Sequence, residues 1–223
     1  MERRICAVFD IDDTLYLERD YVHSGFEAVG GWAAKWLHLD DFAERCWISF
    51  LAGRRGSIFD EVLRESGNEP TAGLVSALVE IYRSHTPSIS LAPDALEALT
   101  EISRMASIAV VTDGPAVSQS RKVEALGLAS FAAPILLTEV LGTEFRKPHP
   151  GAFEQVEKCR PASVYLYAAD NPLKDFAAPK QLGWVTVRVR RPGGLHYAAE
   201  NPAITPDYEM SDCSLLREVL AHL

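Results

Sequence analysis

The sequence predicts an α/β protein: a doubly wound, mostly parallel sheet interrupted near its start by a small all-α insertion. Three observations carry this expectation. Apolar runs without alternation recur along the chain, as strands covered on both faces require. Helical patterns separate them, the signature of βαβ units. The stretch 16–87 holds helical periodicity and no strand signal.

The first run is Ile5-Cys-Ala-Val-Phe9, and it stops at Asp10. Further strands are expected at Ser107–Thr112, Ala133–Leu137, Ser163–Ala168 and Trp184–Val189, with a shorter one near Asp207–Met210. Between them, helices are expected over Pro115–Leu126, closed by Gly127, over Pro150–Lys158, and over Pro172–Leu182, closed by Gly183. Within the insertion, Val22, Phe26, Val29, Ala33 and Trp36 fall on one helix face, and Phe42, Cys46, Trp47, Phe50 and Leu51 on a second. Ser57 and Asp60 resemble a capping box opening a third helix. Leu74, Val75, Leu78, Val79 and Tyr82 mark a fourth. Trp32, Trp36 and Trp47 are expected in the core of the insertion. The division that follows is a core of 1–15 and 88–223 around a helical unit of 16–87.

Composition narrows the function. A formal net charge of −9 argues against nucleic acid or an anionic membrane as partner. A small phosphorylated substrate stays compatible, since a local metal and lysines can override the global sign. Cys6, Cys46, Cys159 and Cys213 have neither metal-site nor paired-motif spacing, which suggests reduced thiols and a cytoplasmic location. The apolar run after Met1 is too short for a secretory leader, and no stretch approaches the length of a membrane span.

Chemistry gathers at the ends of the expected strands. Asp10 and Asp12 stand two residues apart after the first strand, so an extended backbone points both the same way. Two carboxylates this close repel each other unless a cation or a shared proton intervenes, and Mg²⁺ suits a site that also holds phosphate. The second strand ends at Thr112-Asp113-Gly114, where a hydroxyl and backbone amides at a helix start can bind phosphate oxygens. Lys147 follows in Arg146-Lys-Pro-His-Pro150, and Asp170 and Asp175 follow the fourth strand. Each feature alone has an ordinary reading as a cap, a turn or a solvated charge. Their sequence of acid pair, hydroxyl, lysine and acid at successive strand ends asks for a common explanation.

In these segments (FDIDDTLY, VVTDG, RKPHP and DNPLKD) the chain resembles the haloacid dehalogenase superfamily, in motif order and over nearly its whole length. The resemblance implies a Rossmann-like core with the helical cap of subfamily I. It also implies a phosphatase that hydrolyses a nucleotide or sugar phosphate through an aspartyl-phosphate. On that pattern Asp10 is the nucleophile and Asp12 the general acid and base. Thr112, Asp113, Gly114 and Lys147 hold the phosphate. Mg²⁺ is held by Asp10, Asp12 through its carbonyl, and Asp170, with Asp175 in support. Ala169 departs from the glycine common before the acid but removes no ligand. Asp12 separates this pattern from true dehalogenases, which generally lack it.

A phosphomutase uses the same residues, and a catalytically silent phospho-ligand-binding protein can share the scaffold; both stay open at this stage. A phospho-receiver module fits less well, because it needs neither an acid after the lysine nor a cap. Tyr16, Arg54 and Arg55 are candidate substrate contacts; Tyr16, Tyr21 and His23 follow the first loop closely enough to line an entrance, though His23 reads better as a structural or solvent-facing residue. Monomer and homodimer are both compatible with the sequence.

Overall fold

The computed structural model describes residues 4–223 as two compact units. One comprises the N-terminal segment through Arg19 together with Ile89–Leu223; the other is Asp20–Ser88.

The larger unit is built on a six-stranded sheet: β1 (Ile5–Phe9), β2 (Ser107–Thr112), β3 (Ile135–Leu137), β4 (Val164–Ala169), β5 (Val185–Val189) and β6 (Tyr208–Met210). The strand order is β3-β2-β1-β4-β5-β6, and all five pairings are parallel. The chain winds outward from β1 in one direction, then returns to its other side. The crevice at the carboxyl ends of β1 and β4 is therefore the switch point, where such sheets bind ligands.

The pleat sorts side chains between the two faces. Cys6, Val8, Ala109, Val111, Tyr167 and Ala169 form one cluster with Ala152, Phe153 and Val156. The last three lie on helix Gly151–Cys159. Helix Pro93–Ile102 covers the opposite face, burying Ala95, Ala98, Leu99 and Ile102. Burying Phe9, Phe153 and Phe176 completely stabilises the unit by about 2–3 kcal/mol each.

In chain order the helices are α1 (Glu18–Leu37), α2 (Phe42–Leu51), α3 (Ile58–Glu65), α4 (Ala72–Ser84), α5 (Pro93–Ile102), α6 (Ala116–Ala125), α7 (Thr138–Leu141), α8 (Gly151–Cys159), α9 (Ala177–Gln181) and α10 (Leu216–His222). Among the described residues no helix is long and apolar enough to cross a membrane. All four cysteines carry free thiols.

The Asp20–Ser88 unit contains most of α1 and all of α2, α3 and α4. Phe26, Phe50, Phe59 and Tyr82 form an aromatic cluster at its centre. The Tyr82 ring lies so close to Gly25 that any Cβ there would collide with it, which fixes glycine at that position.

Several sequence expectations change. The helix expected over Pro172–Leu182 is only Ala177–Gln181. Ahead of it, Asn171 Oδ1 accepts from the Leu173 amide and Asp175 Oδ2 from the Asn171 amide. These side-chain bonds offer the backbone a turn instead of a helix. The third strand begins at Ile135, after Pro134, which has no N–H to donate. Ser57 makes no capping bond; its hydroxyl donates to Glu61 Oε1 at 2.7 Å. Trp36 is 60% exposed rather than core, with the Lys35 ammonium 5.0 Å from its ring centre. Helices α5, α7 and α10 were not anticipated.

One ion pair ties the loop after β1 to distant parts of the larger unit. Arg191 reaches both oxygens of Asp94 at 2.9 and 2.7 Å and donates to the Thr14 carbonyl. Asp94 also accepts the Cys213 amide. Burial pushes the Asp94 carboxyl up, but Arg191 and the Cys213 amide outweigh it and hold it below the ordinary carboxylate range.

Replacing Asp94 with Ala should cost about 2 kcal/mol, between surface and fully buried pairs, since its side chain keeps 19% exposure. The thermal midpoint should fall by about 4–8 °C at pH 7. Because the folded pKa is depressed, this contribution is complete above the unfolded carboxylate range and disappears as pH falls through the folded value. The difference between wild type and variant should therefore shrink in acid; a gap unchanged at low pH would contradict it.

Candidate active site

Asp10 follows β1 directly, and its amide donates to the Ala168 carbonyl at 2.9 Å, which draws the ends of β1 and β4 together. Register then brings Asp170, one residue past β4, beside it. One oxygen from each of Asp10, Asp170 and Asp175 lies within 4.8 Å of the others, and all three residues are buried. Burial pushes the Asp10 carboxyl up to about 6, against the pull of Lys147. Burial, reinforced by Asp175 and Asp10, raises Asp170 to about 10. Three buried acids this close need added positive charge to ionise together.

Lys147 supplies part of that charge. Its Nζ lies 3.1 Å from Asp10 Oδ1 and 2.7 Å from Asp175 Oδ1, and it donates to the Tyr167 hydroxyl at 3.0 Å. Burial alone would lower its pKa, but Asp10 and Asp175 hold it well above the ordinary range. The contact with Asp10 lacks hydrogen-bond alignment, so Asp10 Oδ1 is buried without a donor. Ionising all three carboxylates against this one ammonium would leave a net charge of −2, which a divalent cation would cancel. An oxygen-rich, buried set with an orphaned acceptor fits a hard divalent cation.

Asp12 points elsewhere. Lys122 contacts its two oxygens at 2.6 and 2.8 Å, Gln119 Nε2 donates at 3.0 Å, and the Tyr16 hydroxyl donates at 2.5 Å. Burial pushes the Asp12 carboxyl up, yet Lys122, Tyr16 and Gln119 together hold it below the ordinary range. The Asp12 side chain is not a member of the acidic trio; only its backbone is available as the carbonyl ligand expected above. Asp13, at φ 51°, binds the loop instead, accepting from the Glu18 and Leu195 amides.

Thr112 ends β2 and donates to Gln119 Oε1 at 3.3 Å. Gly114 has φ 134°, and a Cβ there would meet Gln119 Nε2 at 2.7 Å, so the turn into α6 requires glycine on both counts. The Asp113 carboxylate already accepts from the Thr138 hydroxyl, the Lys147 amide and Lys174 Nζ. Its side chain braces the site, leaving only its backbone for phosphate.

Tyr16, expected near an entrance, is 1% exposed with its hydroxyl on Asp12. Within the smaller unit, Arg54 pairs with Glu61 at 2.5 Å. Arg55 donates to the Phe50 carbonyl, with its guanidinium 3.9 Å from the Phe50 ring centre. Both arginines are engaged locally rather than held out toward an anion. Tyr21 is buried against Tyr82.

Sequence reasoning passed over Gln119, Lys122, Tyr167 and Lys174. Tyr167 reads simply as a strand aromatic. Gln119 and Lys122 did leave a signal: polar residues three apart on a helix flanking the sheet.

A family model described as haloacid dehalogenase-like hydrolase matches residues 6–183. Two curated proteins, each named glyceraldehyde 3-phosphate phosphatase, are similar over almost their full lengths. The one from Methanopyrus kandleri is 28% identical over 230 residues, covering 97% of both chains. The one from Methanocaldococcus jannaschii is 26% identical over 228 residues, covering 97% of this chain and 96% of that protein. Among solved structures, a HAD-hydrolase from Bacillus subtilis bound to magnesium superposes with TM-score 0.68 at 20% identity, over 98% of this chain and 99% of that one. The 2-haloacid dehalogenase from Pseudomonas syringae gives 0.68 at 23% identity, with the same coverage.

Proposed function

Because this chain belongs to the haloacid dehalogenase-like hydrolase family, we propose that it is a Mg²⁺-dependent phosphatase of a small sugar phosphate, working through an aspartyl-phosphate on Asp10. The observation that carries the reading is Asp10 itself: a buried carboxylate beside Lys147, with one oxygen that no donor occupies. The two relatives named glyceraldehyde 3-phosphate phosphatase favour a three-carbon sugar phosphate over a nucleotide.

In the first step an Asp10 oxygen forms a bond to phosphorus as the bond to the leaving oxygen breaks, and Asp12 gives that oxygen its proton. In the second step water attacks phosphorus, Asp12 takes its proton, and the Asp10–phosphorus bond breaks to release phosphate. Lys122 beside Asp12 makes the protonated acid a stronger donor. Lys147 balances charge on the transferring group, and Thr112 with the amides of Asp113 and Gly114 would cradle its oxygens. The carboxylates of Asp10, Asp170 and Asp175 and the Asp12 carbonyl would hold Mg²⁺, which offsets repulsion between nucleophile and substrate when bound.

The test is phosphate release from a panel of phosphomonoesters with Mg²⁺ present. Preference for a triose phosphate over nucleoside monophosphates is the expected result. Release from none of them would overturn the phosphatase reading, and movement of phosphate between positions of one sugar without release would replace it with a mutase.

A further inference from the structure

Helix α6 buries an unusual face. A helix flanking a sheet ordinarily turns apolar residues inward. The residues α6 buries are Ser118, Gln119 and Lys122. Lys122 is 3% exposed, and enclosing an ammonium is costly unless charge and hydrogen bonds compensate it. Two of these residues, Gln119 and Lys122, converge on one target. Asp12 Oδ1 meets Tyr16 and Lys122, and Oδ2 meets Gln119 and Lys122. With two donors at each oxygen, the plane of the carboxylate is fixed.

Gln119 extends this hold across the site. Its Nε2 also donates to the Asp113 carbonyl at 2.9 Å, and its Oε1 accepts from Thr112. Asp12 is thereby registered against the Thr112–Asp113 turn at the end of β2. The acidic trio has its own cation in Lys147, beside Asp10 and Asp175, while Lys122 forms its ion pair with Asp12.

We propose that Lys122 is a positioning residue for the reaction: with Gln119 and Tyr16, it holds the Asp12 carboxylate where it exchanges a proton with the leaving oxygen. This rests on the phosphatase reading above and goes beyond it, by making α6 part of the proton-handling apparatus. A lysine suits the task, because its ammonium is a compact charge whose three donors can serve both carboxylate oxygens at once.

The experiment compares kcat/KM, which covers the steps through phosphoenzyme formation, for two substrates. Nitrophenolate departs from 4-nitrophenyl phosphate without a proton, whereas the alkoxide of glyceraldehyde 3-phosphate needs one. Lys122→Met should lower kcat/KM for the alkyl ester about 100-fold, within the range of lost acid catalysis, and for the aryl ester about threefold or less. Gln119→Leu, which leaves the lysine in place, should shift the same ratio in the same direction by about tenfold. In an Asp12→Asn background, Lys122→Met should change the alkyl ester's kcat/KM no further.

Equal losses on both esters, or full additivity with Asp12→Asn, would overturn the positioning role while leaving the phosphatase intact. A wild type inactive on both esters would instead overturn the phosphatase reading, and this role with it. If Lys122→Met fails to fold, the Gln119→Leu ratio decides: an unchanged ratio overturns the proposal.

Discussion

Asp10→Asn should abolish turnover of 4-nitrophenyl phosphate, with a loss on the order of 10⁴-fold or more, as removal of a covalent nucleophile costs elsewhere. An amide oxygen carries no full charge and cannot form the acyl phosphate. The fold should survive the change. Lys147 keeps its contacts with Asp175 and Tyr167, and the like charge between Asp10 and Asp175 is relieved. Stability in the absence of metal should stay within about 1 kcal/mol of wild type or rise, since a buried charge has been removed. Acid-quenched wild type should gain the mass of one phosphoryl group, and the variant should gain none. Substantial turnover by a folded Asp10→Asn protein would remove Asp10 from the nucleophile's place.

The sheet was legible because a buried parallel strand has little choice of side chain: Ile5–Phe9, Ile108–Val111 and Val164–Ala169 are unbroken runs of apolar and aromatic residues. The site's anchors were legible for a related reason. Asp10 and Asp170 follow strands directly and Thr112 closes one, so the strand ends announce them. What the sequence did not disclose depends on contacts between remote residues. The polar spacing of Gln119 and Lys122 is only a faint local signal, and the lysine's partner emerges when the fold brings Asp12, 110 residues away, against it. Arg191 met Asp94 across 97 residues in the same way. Tyr16 misled because two residues past Thr14 suggests a rim, whereas the loop turns its ring inward. The Pro172–Leu182 segment misled because Asn171 and Asp175 bond to backbone amides, which apolar periodicity does not register.

Removal of Mg²⁺ should be the second large effect. An excess of chelator should eliminate phosphate release, and returning Mg²⁺ should restore it. Activity alone cannot separate a metal held by the protein from one carried in on the substrate, so the sharper measurement is thermal unfolding without substrate. A cation that binds the folded acids and not the unfolded chain stabilises the fold by about 2.7 kcal/mol at a concentration 100 times its Kd. For a chain of this length that corresponds to a midpoint rise of about 5–10 °C. Asp170→Asn should largely remove the Mg²⁺-dependent rise, because it takes one of three buried carboxylates from the cluster. It should also raise the metal-free midpoint, since Asp170 is the group that burial, Asp175 and Asp10 most oppose as an anion. Asp13→Asn provides the contrast. Asp13 accepts the Glu18 and Leu195 amides and is no member of the trio, so its loss should lower stability with and without Mg²⁺ equally. A Mg²⁺-dependent rise that persists in Asp170→Asn would move the cation away from these acids.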